Sequence, residues 1–182
     1  MKDLSSHILD IVQNSIRAKA TLIQIEITEL PEKDRLIITI SDDGKGMTKE
    51  QMHQATDPFY TSRTTRKVGL GLSLLKQNAE MTGGTFNLKS EPGKGTKVTA
   101  EFGLSHFDRP VMGDLTGTLL ILICSAGNIE YVFQHQTSTG DFKLDTREIR
   151  QILGNVPISN PEIRNFLKEM ILENLEQIKI CE

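Results

Sequence analysis

The run Leu36-Ile37-Ile38-Thr39-Ile40 is almost unbroken in apolar residues, and it stops abruptly at Ser41-Asp42-Asp43-Gly44-Lys45-Gly46-Met47. A short apolar run ending in carboxylates and glycines reads as a central strand that delivers a tight turn to the end of a sheet. The neighbouring pattern agrees. Leu22-Ile23-Gln24-Ile25-Glu26-Ile27 alternates as a strand, and Pro31-Glu32-Lys33-Asp34 turns between the two. Within the turn, Asp42, Gly44 and Gly46 form D-x-G-x-G. The glycines let a backbone approach a flat ligand, and the carboxylate can accept a hydrogen bond from an exocyclic amine. A plain strand-ending turn uses the same residues, and the later ligand positions of a calcium loop do not follow.

Helical periods flank these strands. Leu4, Ile8, Ile11, Val12 and Ile16 recur at helix spacing, with Ser5 or Ser6 as cap. Thr48 caps a short helix to Ala55, and Leu70 to Met81 is a helix stopped by Gly83-Gly84. Between them, Asp57 to Val68 is polar, basic and interrupted by proline, as a long loop would be. Strands Thr85–Ser90 and Thr96–Phe102 flank the turn Glu91-Pro92-Gly93-Lys94-Gly95. Beyond a boundary expected near Gly103 to Pro110, Leu115–Ser125 and Glu130–Gln136 read as a hairpin turning at Ala126-Gly127-Asn128. Thr146–Leu153 reads as a helix. A last helix starts at Asn160 and Pro161, with Ile163, Phe166, Leu167, Met170 and Ile171 as a stripe best read as core. The fold class is α+β: a two-layer sandwich of a mixed sheet with helices on one face over residues 1–103, and a small α+β appendage over 104–182.

Three further clusters carry chemistry. Asp10 and Asn14 are four residues apart and share a helix face. A carboxylate beside an amide can hold a magnesium-bound triphosphate, the amide oxygen ligating the cation and the carboxylate orienting a nucleophile. An exposed polar face has the same appearance. Val68-Gly69-Leu70-Gly71-Leu72-Ser73 is a glycine turn feeding a helix, which suits phosphate. No Gly-Lys-Ser/Thr closes it, so it is not a Walker loop. Gly93-Lys94-Gly95-Thr96 alone is a hairpin turn.

Composition removes whole classes. With 24 acidic against 21 basic side chains and a net charge of −3, the chain lacks the basic excess of a nucleic-acid binder. It has no tryptophan, so base stacking has few platforms. Its longest apolar stretch, Leu119 to Cys124, is too short to span a bilayer, and the N-terminus lacks the apolar core of a signal peptide. Cys124 and Cys181 form no CxxC pair, so the expected setting is the cytoplasm.

The order of the clusters resembles the ATP-binding domain shared by DNA gyrase, the large heat-shock chaperones, histidine kinases and MutL-type mismatch-repair proteins. Asn14 with Ser15 and Ala18 looks like that family's N box. Asp42 to Met47 matches its G1 box, Gly69-Leu70-Gly71-Leu72 its G2 box, and Gly93 to Thr96 its GxGT. Pro58-Phe59-Tyr60-Thr61-Ser62-Arg63 resembles its F box. The resemblance covers about residues 4 to 102 and implies the Bergerat-type fold with ATP and Mg²⁺ as ligands. It implies that Asn14 coordinates the metal, Asp42 binds the adenine amine, Gly44 and Gly46 form the pocket floor, and Met47 is a further nucleotide-binding residue. Thr96 would reach adenine through water, and Gly69, Leu70, Gly71 and Leu72 would cradle phosphates. The stretch Asp57 to Val68 would be a lid, with Thr61, Arg63, Arg66 and Lys67 facing polyphosphate.

Asp10 stands where the family's ATPases often have glutamate, one methylene longer; it would serve as general base or water-positioner. Lys67 stands where kinases usually have another lid glycine. The short spacing from Asp42 to Gly69 is like the kinase branch. His7, His53, His106 and His135 lie in no phosphoacceptor motif, and His7 reads as a solvated residue of the first turn. Only three residues precede Leu4, so no dimerising hairpin is expected upstream. The compact arrangement is similar to that of the anti-sigma-factor kinases, which phosphorylate a serine on a partner. The expectation is a stand-alone regulatory kinase or nucleotide switch acting on a protein partner, with the residues after 103 setting partner choice, no nucleic acid or membrane involved, and a homodimer left open. The alternatives are a non-catalytic ATP-dependent binding module and a slow ATPase of the mismatch-repair or gyrase type.

Overall fold

The computed structural model describes residues 3–57, 70–125 and 128–179. Helix α1 (Leu4–Arg17) leads into strands β1 (Leu22–Leu30) and β2 (Arg35–Asp42), joined by a short 3₁₀ turn at Pro31–Lys33. Helices α2 (Lys49–Thr56) and α3 (Leu70–Met81) precede strands β3 (Phe86–Glu91) and β4 (Gly95–Gly103). Then come α4 (Leu115–Ile123), β5 (Glu130–Gln136), β6 (Asp141–Asp145), α5 (Thr146–Leu153) and α6 (Pro161–Gln177). The strands form one mixed sheet in the order β3-β4-β2-β1-β5-β6, antiparallel except for β1 against β5.

The alternation of β1 decides which face is covered. Ile23, Ile25 and Ile27 are buried with Leu36, Ile38 and Ile40 of β2, Val98, Ala100 and Phe102 of β4, and Tyr131 and Phe133 of β5. Against this face pack Leu4, Ile8, Ile11 and Val12 of α1 and Leu75 and Ala79 of α3. Leu119 and Leu122 of α4 and Leu167 and Ile171 of α6 complete the core. The opposite face has no covering helix and is mostly polar, carrying Gln24, Glu26, Thr39, Lys97 and Thr99, with Ile37 and Val132 among them. Two layers with helices on one side are therefore as the sequence predicts.

Several local expectations fail for identifiable reasons. The first helix is capped by Asp3, whose Oδ1 accepts from Ser6 N at 2.7 Å, and not by Ser5 or Ser6. Ser5 is buried and donates its hydroxyl proton to Met112 O. Leu115–Ser125 is no strand: Asp114 caps α4 by accepting from Gly117 N at 2.8 Å. A helix buried around most of its circumference shows no period, so its apolar run imitates a strand. The expected hairpin at residues 126–128 is replaced by the turn between β5 and β6, where Thr137 N donates to Gly140 O. Residues past the expected boundary near 103–110 thus supply two strands of the same sheet. His7 is buried rather than solvated, 1% exposed. In the stripe of α6, Leu167 and Ile171 are core but Phe166 is 64% exposed.

Candidate functional site

Four elements converge at the C-terminal end of β2. Helix α1 and its C-terminal cap present Ile11, Asn14, Ser15 and Ala18 at positions i, i+3, i+4 and i+7, a single stripe. Ile40 and Asp42 come from β2, Gly46 and Met47 from the following loop, Gln51, Gln54 and Ala55 from α2, Leu72 from α3, and Thr96 and Val98 from β4. Together they enclose a cavity of about 420 Å³, within the range of small-molecule sites.

Asp42 is fixed at both oxygens. Ser15 Oγ donates to Oδ2 at 2.6 Å and Gly44 N donates to Oδ1 at 2.9 Å. Each carboxylate oxygen keeps a further lone pair for a ligand donor. The second aspartate of the pair is structural: Asp43 accepts from Thr21 N, Thr21 Oγ1 and Leu22 N at 2.7, 2.6 and 2.9 Å. Burial pulls its carboxyl upward, but those bonds outweigh it and hold the group below the ordinary carboxylate value.

The loop is locked to the turn between β3 and β4. Gly46 has φ +66°, and a Cβ there would lie 2.0 Å from Glu91 O, so no other residue fits. Gly93 N donates to Lys45 O at 2.7 Å, and Lys45 N to Ala18 O at 2.9 Å. Ser90 Oγ donates to Gly95 O and accepts from Met47 N, both at 2.8 Å. With its one proton spent, Ser90 accepts from Thr96 at 2.9 Å, which turns the Thr96 lone pairs toward other donors.

Asp10 and Asn14 sit on successive turns of α1. Asp10 does not line the cavity; its Oδ2 lies where a Cβ on Gly71 would be, 1.7 Å away, so the glycine is what lets the start of α3 approach. Asn14 Oδ1 accepts from Arg17 Nη1 at 3.3 Å at the rim. One turn earlier, His7 Nε2 meets Asn78 Nδ2 of α3 at 3.0 Å. Burial is the main force lowering the His7 pKa, opposed by the carboxylates of Asp10 and Asp3.

Of the residues named from the sequence, the structure gathers Asn14, Asp42, Gly46, Met47, Leu72 and Thr96 around one cavity. Gly44 is buried behind Asp42, and Gly71 abuts Asp10. Leu70 opens α3. Thr61, Arg63, Arg66, Lys67 and Gly69 lie outside the described residues, as do the F box and most of the expected lid. The apolar walls Ile11, Ile40, Ala55 and Val98, and the polar Arg17, Lys45, Gln51 and Gln54, were not singled out. Parity gives the signal for two of them: Ile40 is two before Asp42 and Val98 two after Thr96, on the same side of their strands.

An apolar slot with a fixed carboxylate and hydroxyls at its base fits a flat heterocycle bearing an amine. For a metal, the described residues hold no group of three His, Cys, Asp or Glu side chains. Asn14 alone would donate to a cation whose other ligands are phosphate and water, which suits magnesium.

The chain is 30% identical over 116 residues to a non-motile and phage-resistance protein of Caulobacter vibrioides, covering 59% of this chain and 14% of that one. It is 34% identical over 98 residues to the sensor histidine kinase ZraS of Salmonella typhimurium, covering 53% and 21%. It is 43% identical over 75 residues to the sensor histidine kinase YclK of Bacillus subtilis, covering 38% and 16%. This chain thus spans less than a quarter of each relative. A crystal structure of the N-terminal domain of a DNA repair protein shares the fold, with TM-score 0.55 and 20% identity over 87% of this chain and 59% of that one. Residues 2–106 match the profile of the histidine kinase-, DNA gyrase B- and HSP90-like ATPases, for which ATP is the implied nucleotide, and the chain belongs to that family.

Proposed function

We propose that the chain is an ATP- and Mg²⁺-dependent regulator of a protein partner, working as a kinase of the histidine-kinase-like branch or as a nucleotide switch. The observation that carries the reading is Asp42 clamped by Ser15 and Gly44 at the base of an apolar slot, one helix stripe away from Asn14. The sensor histidine kinases among its relatives support kinase chemistry. The compact arrangement is similar to that of the anti-sigma-factor kinases.

In this reading Asp42 accepts the exocyclic amine of adenine, while Ile11, Ile40, Ala55 and Val98 exclude water from the ring. The Asn14 amide oxygen is the protein's ligand to magnesium, and Arg17 releases it to become free for phosphate. Bound ATP supplies the activated phosphoryl group. Asp10 takes the proton from the attacking hydroxyl of the partner, or orients a water where no partner is bound. Residues 104–182 are the proposed source of partner specificity.

Calorimetry with ADP and a nonhydrolysable ATP analogue, with and without Mg²⁺, tests the pocket. Asp42→Asn should lower nucleotide affinity by about tenfold or more, the effect of losing a hydrogen bond to a charged group. Asn14→Ala should remove only the increment that Mg²⁺ adds. Wild-type affinity in both variants would sink the reading. Labelled ATP with candidate partners then separates transfer from binding alone, since Asp10→Asn should abolish transfer and leave nucleotide-dependent partner affinity in place.

A further inference from the structure

The open face of the sheet carries two charges that the fold does not use. Lys89 of β3 stands directly opposite Lys97 of β4 in the antiparallel register. Both are exposed, and neither has an acidic partner among the described residues. Like charges facing each other across a ladder are destabilising, so this pairing works against stability.

The two lysines border a depression of about 350 Å³, lined also by Ser41, Glu91, Lys94 and Thr96. The two carboxylates that line it are already engaged: Lys94 Nζ lies 2.8 Å from Glu91 Oε1, and Asp42 accepts from Ser15 Oγ and Gly44 N. The lysine pair is therefore uncompensated. From it the open face continues through Ser41 and Gln24 in the same row, where Ser41 donates to Gln24 at 3.2 Å. The next row holds Asn87, Thr99 and Thr39 and runs on through Glu26 and Gln134 to Lys143. Next to the lysine pair it is a bed of hydroxyls and amides. Among the described strand residues, no aromatic side chain lies on this face.

We propose that the depression docks an acidic segment of a partner protein, its carboxylates seated between Lys89 and Lys97 and its backbone running over the hydroxyl-amide rows. Charge complementarity selects an anion. Two lysines neutralise too few phosphates for a nucleic-acid backbone, and there is no platform on which bases could stack. The depression is lined by no apolar residue, so an apolar partner surface finds nothing to bury in it.

The position also couples the two sites. Asp42 and Thr96 line both this depression and the nucleotide cavity. The loop after β2 and the turn before β4 interlock through Gly93 N to Lys45 O. An occupant on one side of this shared wall alters the affinity on the other, and the effect is reciprocal. The coupling rests on the nucleotide reading above; the docking site does not.

The test uses the full chain and a short fluorescein-labelled oligoglutamate peptide, followed by anisotropy. Wild-type protein should bind it with an affinity that falls as salt rises. The double variant Lys89→Gln/Lys97→Gln should bind about tenfold more weakly, as the loss of two exposed ion pairs allows. Its melting temperature should equal or exceed that of the wild type, because a repulsion has been removed; lysines kept for stability would give the opposite. The titration is run without nucleotide, so its outcome does not depend on the nucleotide reading, which the calorimetry tests by itself. Equal peptide binding by wild type and double variant would overturn the proposal. Binding of an oligothymidylate of equal charge as tight as that of oligoglutamate, with the same loss in the variant, would overturn the assignment to an acidic protein.

Discussion

Gly71 leaves room, by lacking a methyl group, for the carboxylate proposed as the base. Its α-carbon sits so close to Asp10 that an alanine Cβ would fall 1.7 Å from Oδ2 and 2.9 Å from Cγ. The clash is with the far end of a side chain, which can swing aside, so Gly71→Ala should fold with little change in melting temperature. The displaced carboxylate should lower phosphoryl transfer or hydrolysis by about a hundredfold, the usual scale for a general base moved off its position. Steady-state rates and nucleotide calorimetry check this together: full activity in the variant would remove Asp10 from the mechanism. Gly46 is a different case, because its Cβ would meet backbone at Glu91 O rather than a movable group. The place of Asp42 at the cavity was legible from the sequence because it is a carboxylate that ends a strand and is followed by two glycines. The partners of that carboxylate were less so: Ser15 is 27 residues away, and only the packing of α1 over β2 brings it to 2.6 Å.

At the scale of elements, helix α3 matches its sequence-based bounds of Leu70 to Met81, and α5 its bounds of Thr146 to Leu153. Thr48 caps α2 as expected, in a reciprocal arrangement with Gln51. Amphipathic helices announce their faces; α4 could not, since six of its nine residues are buried. Strand β6 went unread because Asp141-Phe142-Lys143-Leu144-Asp145 has only two apolar residues on one side. The contact of α1 with α3 carries a pH signature. Burial holds the His7 pKa below its ordinary value of 6.5. The unfolded chain therefore binds the proton more readily, and stability rises with pH. His7 imposes no penalty above 6.5; below it the penalty grows as pH falls, and it is complete under the folded-state pKa. Denaturant midpoints taken above and below that pH should differ in the wild type. The difference should shrink in His7→Gln, and an unchanged slope would assign the pH dependence elsewhere.

Over the whole molecule, the family match ends at residue 106 while the sheet does not. Strand β1 has β2 on one side and β5 on the other. The start of α1 is held by Val111 and Met112, whose carbonyls accept from Leu4 N and Ser5 N. Cutting the chain after Gly103 would expose the edge of β1 and uncover Ile23, Ile25 and Ile27, which now pack beside Tyr131 and Phe133. The truncated protein should be aggregation-prone and lose cooperative unfolding. Gel filtration and thermal melting check this, and a monomer melting like the full chain would make the first half self-sufficient. Among the described residues no helix is long and apolar enough to cross a membrane.

The parallel pairing of β1 with β5 sets Leu22 against Glu130. Those positions are made far apart in time on the ribosome. The β1–β5 ladder waits until the residues from Glu130 onward emerge, and loop closure over that distance is slow. Until then one flank of β1 is open to any strand in reach. A nascent chain of this kind passes through a window in which that flank can pair with the wrong neighbour.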